Sequence, residues 1–183
     1  MMTDFLPMRE ARRRTEADRR LLASRVENRP ERELVAPYRV EGGPLGDFCD
    51  SLRDLVAHVL MWDEINLAVL TEARLGRAHW SLDGPWETPS SGRALNLAGV
   101  MAGRELPVDL LLHRFGVVRD ALVDELSRYD EDRWTAPLAL SHPRATSTGA
   151  LAQYVMSIPN GGPYWHAAIH LGEQAVMNEQ ELV

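Results

Sequence analysis

His166 and His170 stand four residues apart in the stretch Tyr164-Trp165-His166-Ala167-Ala168-Ile169-His170-Leu171-Gly172-Glu173. On a helix this spacing puts both imidazoles on one face with their Cβ atoms about 6 Å apart, near enough to share one metal ion. Neutral imidazole suits zinc, nickel and iron, so the pair supplies half of a four-coordinate site before any tertiary contact is made. The competing reading is two histidines hydrogen-bonded in or beside a helical core. The pair is not the HExxH of zinc proteases, because Ala167 occupies the position of that motif's general base. Glu173 follows on the same stripe as a fourth ligand, a partner that orients an imidazole, a proton-transfer group or a solvated helix acid.

A third histidine lies far upstream. His58 falls inside the apolar stripe Leu52, Leu55, Val56, Val59, Trp62, Ile65 and Val69, with Asp54 one turn before it and Trp62 one turn after. A helical bundle that brought His58 to the later pair would complete a three-histidine site with one position left for water or substrate. Asp54 and Glu173 are the acids placed to support such a site. Trp62, Tyr164, Trp165 and Trp86, with Trp80, are the candidate walls of a substrate pocket. Cys49 precedes His58 by nine residues, about 13 Å along a helix axis, and reads as a small buried hydrophobe.

Periodicity supplies the elements that must hold these residues. Met8 to Glu27 carries no Gly or Pro and reads as a strongly solvated first helix with the narrow stripe Leu21, Leu22 and Val26. Its Arg12-Arg13-Arg14 run is interleaved with Glu10, Glu16 and Asp18, as on a charged helix face. A loop through Pro37, Gly42, Gly43, Pro44 and Gly46 leads to a second helix, capped by Asp50 or Ser51 and running to about Leu75. Residues 77–107 read as a long irregular connection, because Gly84-Pro85, Pro89-Ser90-Ser91-Gly92 and Gly99 through Gly103 all favour turns. The GxxxG spacing of Gly99 and Gly103 has no membrane context and carries no weight. A third helix follows from Pro107 or Val108 to Tyr129, with Leu111, Phe115, Val118, Leu122, Leu126 and Tyr129 as its core stripe and His113 off it. After a loop that includes His142, Thr148 caps a short helix, Pro159-Asn160-Gly161-Gly162 breaks the chain, and Pro163 opens the histidine helix. The fold class is therefore all-α, a four-helix bundle in one domain spanning 1–183, with long loops between helices two and three and before the last helix.

Composition removes whole reaction classes. All twenty basic residues are arginine, so no lysine is present for a Schiff base or a P-loop contact. GxSxG, GxxxxGK[ST] and a strand-linked GxGxxG are all absent from the sequence. A net charge of −7 argues against a nucleic-acid partner and against anionic membranes. No apolar run approaches a bilayer span and no signal-like segment opens the chain, which points to a cytoplasmic protein. Dimerisation through an outer bundle face is compatible with the pattern, although no heptad seam specifies it.

Two segments resemble a known family. Ser51-Leu52-Arg53-Asp54-Leu55-Val56-Ala57-His58, followed by Trp62, resembles the second-helix signature of the DinB-like superfamily, and His166 through Glu173 resembles its HxxxHxGE/Q closing motif. The resemblance follows element order through most of the chain. It implies a four-helix bundle in which His58, His166 and His170 hold a divalent zinc, nickel or iron ion. Relatives include bacillithiol- and mycothiol-dependent S-transferases and a mycothiol-dependent maleylpyruvate isomerase, which implies a low-molecular-weight thiol as co-substrate. Three histidines depart from the His/Glu/His set of the isomerase branch. Other related bundles are self-resistance proteins that open a strained ring in a natural product. Three functions follow: a metal-dependent thiol S-transferase acting on a small electrophile, a thiol-independent hydrolase or lyase for a natural product, and a non-catalytic small-molecule-binding bundle.

Overall fold

The computed structural model describes residues 5–41, 45, 48–158 and 161–179. The loop residues Gly42, Gly43, Pro44 and Gly46 and the Pro159-Asn160 break lie outside them. The architecture is all-helical, and the described residues contain no strand beyond two isolated bridges, Pro37 to Ser51 and Pro137 to Ser147. Nine α-helices and one 3-10 turn, Trp80–Leu82, lie among these residues: α1 Met8–Val26, α2 Glu31–Leu34, α3 Leu52–Arg74, α4 Pro89–Arg104, α5 Val108–Leu126, α6 Glu131–Thr135, α7 Thr148–Val155, α8 His166–His170 and α9 Gln174–Glu179. No helix is long and apolar enough to cross a membrane among the described residues.

The central element is α3. It packs along α5 and α4 and also meets α1, α7 and α8. Ser51 caps it by accepting a hydrogen bond from the Asp54 amide at 3.1 Å. Leu52, Leu55, Val56, Val59 and Val69 of the expected stripe are buried, as are Leu111, Phe115, Leu122 and Leu126 of α5. Leu52, Leu55, Val56 and Val59 share a core cluster with Leu111 and Phe115, Leu122 and Leu126 pack with Leu70 in a second, and Val69 packs with Leu151 of α7 in a third. Ser147, one residue before the expected Thr148, caps α7.

Residues 77–107 differ from the expected loop, because Pro89–Arg104 is helical. Thr88 caps it and Pro89 takes the first turn, where the missing N–H costs nothing. Three glycines weaken its intrinsic propensity by roughly 1 kcal/mol each relative to Ala, so tertiary contact must hold it. Gly99 and Gly103 make that contact possible. A Cβ on Gly103 would lie 2.2 Å from the Ala57 Cβ, and one on Gly99 would lie 2.9 Å from the Met61 Cβ. The spacing given no weight in the sequence is thus the seam along which α4 lies on α3. Gly103→Ala is expected to cost about 1–3 kcal/mol by overpacking, and Ala57→Gly in the same chain should return part of it. Urea denaturation of the two single variants and the double variant measures this; additive losses would contradict the close approach.

The first helix also differs from expectation. It is not solvated all round: Ala11, Thr15, Asp18, Leu22 and Val26 recur on an inward face, and Arg19 is buried beside them. The last helix is shorter than expected. Tyr164 adopts a left-handed φ of 65°, so Pro163 stays in the preceding turn and helix geometry starts at His166.

Candidate metal centre

His58 projects from the buried face of α3, and His166 and His170 project from α8. Their exposures are 2%, 5% and 3%. One ring nitrogen from each histidine lies within 4.8 Å of the other two. The ring centroids are 4.9 Å apart for His58 and His166, 5.1 Å for His58 and His170, and 5.1 Å for His166 and His170. The Nε2 atoms of His58 and His166 face each other at 2.9 Å. His170 Nδ1 lies 2.9 Å from the Glu41 carbonyl, which only accepts, so that nitrogen carries the proton and Nε2 keeps its lone pair. His58 Nδ1 is buried with no partner.

Burial keeps these rings neutral. Desolvation, then His170 and Arg19, lower the His58 pKa to about 3. Desolvation, followed by its two histidine neighbours and Arg19, takes His166 well below its ordinary value. His170 is lowered by desolvation, against the Glu41 carbonyl bond that favours its protonated form. Three neutral imidazoles with converging nitrogens form a donor set that can hold a divalent ion. A depressed folded-state pKa means that the unfolded chain takes up protons first as pH falls. Stability is therefore full above about pH 6.5, the unfolded histidine value, and drops by up to about 1.4 kcal/mol per histidine for each unit below it. With metal chelated, the urea midpoint at about pH 5 is expected to lie well below that at about pH 7; equal midpoints would show that the folded rings take up protons as readily as the unfolded ones.

A buried ionic network locks the two histidine-bearing helices together. Asp18 on α1 accepts hydrogen bonds from the amides of Ala167 at 2.9 Å and Ala168 at 2.8 Å, tying down the first turn of α8. Arg19 pairs with Asp18 and forks onto Asp63 at 2.8 and 2.5 Å. Asp63 lies on α3, five residues after His58. Asp18, Arg19 and Asp63 are 0%, 1% and 0% exposed. Burial raises the Asp18 pKa, while Arg19 and the two amides oppose it. Fixing α8 through Asp18 and α3 through Asp63 sets the distance between His58 and the later pair.

The other predicted site residues separate into two groups. Tyr164 and Trp165 are buried immediately before His166. Arg14 sits 5.4 Å from the Trp165 ring centroid, and the Tyr164 hydroxyl has no partner. Asp54 is also buried, but it faces α4: it accepts from Arg104 Nε at 2.8 Å and Nη2 at 2.7 Å. Burial raises its pKa, and the Arg104 bonds outweigh this to hold it below the usual carboxylate range. Glu173 pairs with Arg25 of α1. Trp62 donates to Asn96 Oδ1 at 2.6 Å, fastening α4 to α3. Trp86 is 47% exposed and stacks edge-on against Trp80 at 5.2 Å. Cys49 is buried, and desolvation, then Asp54 and Asp50, push its thiol up to about 12.

Asp18, Arg19, Asp63 and the Glu41 carbonyl escape sequence reading. Asp18 and Arg19 sit in an arginine- and glutamate-rich helix, where composition signals solvent. The available signal was positional: Asp18 falls seven residues after Ala11 and four before Leu22, on the inward stripe.

The sequence matches no protein-family profile and no curated protein. Among solved structures, it is similar in fold to an uncharacterised protein from Escherichia coli UTI89, with a TM-score of 0.67, 18% identity, and coverage of 94% of this chain and 95% of that one. It is also similar to the colibactin self-resistance protein ClbS, solved in complex with a dsDNA, with a TM-score of 0.63, 15% identity, and coverage of 96% and 95%. The ClbS complex corrects the exclusion of nucleic acid drawn from net charge. Whole-chain charge is a sum over all faces, and a protein of this fold has been crystallised with duplex DNA.

Proposed function

We propose that this chain is a divalent-metal-dependent enzyme of the DinB-like kind that disarms a reactive natural product in self-protection. The observation that carries the reading is the convergence of three buried, neutral imidazoles on one point. The ClbS likeness supports the self-resistance direction. His58, His166 and His170 would hold one zinc, nickel or iron ion, and such an ion supplies Lewis acidity toward a carbonyl, a strained ring or water. The protein's own part is positional. Glu41 fixes the His170 tautomer, Asp18 and Asp63 hold the two helices in register, and the surrounding core keeps bulk water off the rings.

Cys49 is a protonated core thiol, so any thiol chemistry needs a thiol from solution. This separates the two enzymatic readings in one assay. Protein purified without a chelating column is incubated with an epoxide or cyclopropane electrophile, with and without added low-molecular-weight thiol, before and after chelation. Consumption without thiol that stops on chelation is the expected result. Consumption only with thiol moves the assignment to an S-transferase. Ligand binding that survives chelation with no turnover moves it to a non-catalytic bundle. Duplex DNA is titrated alongside as a possible ligand, following the ClbS complex.

A further inference from the structure

A cleft of about 520 Å³ runs beside the segment that leads into α8, a volume in the range of small-molecule sites. Its apolar lining comes from Phe5, Ile158 and Pro163, with Ala150 of α7. Gly161 joins this cleft to the histidine helix: a Cβ there would lie 2.1 Å from Ile169 Cδ1, between the two α8 histidines in sequence.

Arg144 is the one charged residue among those that line the cleft. Tyr154 donates its hydroxyl proton to Glu87 at 2.8 Å, leaving the phenolic oxygen to accept from Arg144 Nη1 at 3.3 Å. The same guanidinium lies 5.5 Å from the Tyr154 ring centroid. His142 reaches the same Glu87 oxygen at 3.3 Å and stacks against Tyr154 at 5.2 Å, and Glu87 lies behind Tyr154, off the cleft lining. Arg144 makes no ion pair with a carboxylate among the described residues, and its remaining N–H groups are open. Ser157 Oγ, also on the lining, is shielded from solvent and has no hydrogen-bond partner. An apolar trough with a guanidinium held at its rim is complementary to an apolar body that carries an acid group.

We propose that this cleft binds a small amphipathic acid, its carboxylate on Arg144 and its apolar part against Phe5, Ile158 and Pro163. The inference does not depend on a metal at the histidines, because none of the three lines the cleft.

Saturation-transfer NMR on the full chain, with octanoate as the probe and octylamine as its cationic counterpart, tests the assignment. Octanoate is expected to bind saturably in the millimolar range or tighter, with octylamine much weaker. Arg144→Gln, a change at an exposed side chain, should weaken octanoate about tenfold, while Arg144→Lys should retain most of the affinity. Ile158→Glu, at an unchanged melting temperature, should abolish transfer to the octanoate chain. Equal binding of the two probes, an Arg144→Gln titration matching wild type, transfer that persists in folded Ile158→Glu, or no saturable octanoate binding would each overturn the proposal.

Discussion

His58→Ala and His170→Ala are expected to leave the protein folded and metal-free, where wild type purified without a chelating column carries about one divalent ion per chain. The two variants remove one donor from each of the two elements that meet at the site. Each variant keeps only two of the three histidine donors, and Cys49 and Glu173 are held elsewhere, one as a buried thiol and the other on Arg25. Elemental analysis reads the ion directly. A thermal melt adds a second readout. Zinc at a thousandfold excess over its dissociation constant stabilises the native state by about 4 kcal/mol, and this gain should vanish in both variants. Both apo variants should lose less than a typical core truncation, since each removes a neutral ring whose burial already disfavours its protonated form. Equal zinc-dependent stabilisation in wild type and His58→Ala would mean that the three rings do not form one site.

The second large effect is expected at Asp63. Asp63→Ala leaves Arg19 with Asp18 alone and strips the acceptors from its buried Nε and Nη2, at about 1–3 kcal/mol for each unsatisfied donor. The loss should also reach the metal. Arg19 is the link between α3 and the α1 carboxylate that pins the first turn of α8, so without Asp63 the distance from His58 to His166 and His170 is no longer fixed. Zinc affinity should fall about 10- to 100-fold, the range typical of residues that orient ligands without touching the ion. Asp63→Asn retains an acceptor and should fall between wild type and Asp63→Ala on both measures. Competition with a chromophoric chelator gives the affinity and urea denaturation gives the stability. A stability loss with unchanged zinc affinity would restrict the network to a structural role.

The sequence by itself determined the helices that bury a clear apolar stripe. In α3 and α5, large aliphatic side chains recur every three to four residues, and any packing partner would have to cover that face. It also determined that His166 and His170 share a face, since an i, i+4 relation is local geometry. Only the tertiary structure decided the rest. His58 meets His166 across 108 residues and Arg19 meets Asp63 across 44, and no local period encodes either pairing. Helix α4 was hidden because its glycines and serines argue for turns. Those glycines let the helix settle on Ala57 and Met61, where Arg104 and Asn96 fasten it to Asp54 and Trp62. Asp18 and Arg19 were hidden for the converse reason: charge signals solvent unless an opposite charge waits inside, and the opposite charge came from another helix. Periodicity reports which face of an element is covered, whereas the identity of the cover, and so the site it completes, is set by contacts remote in the chain.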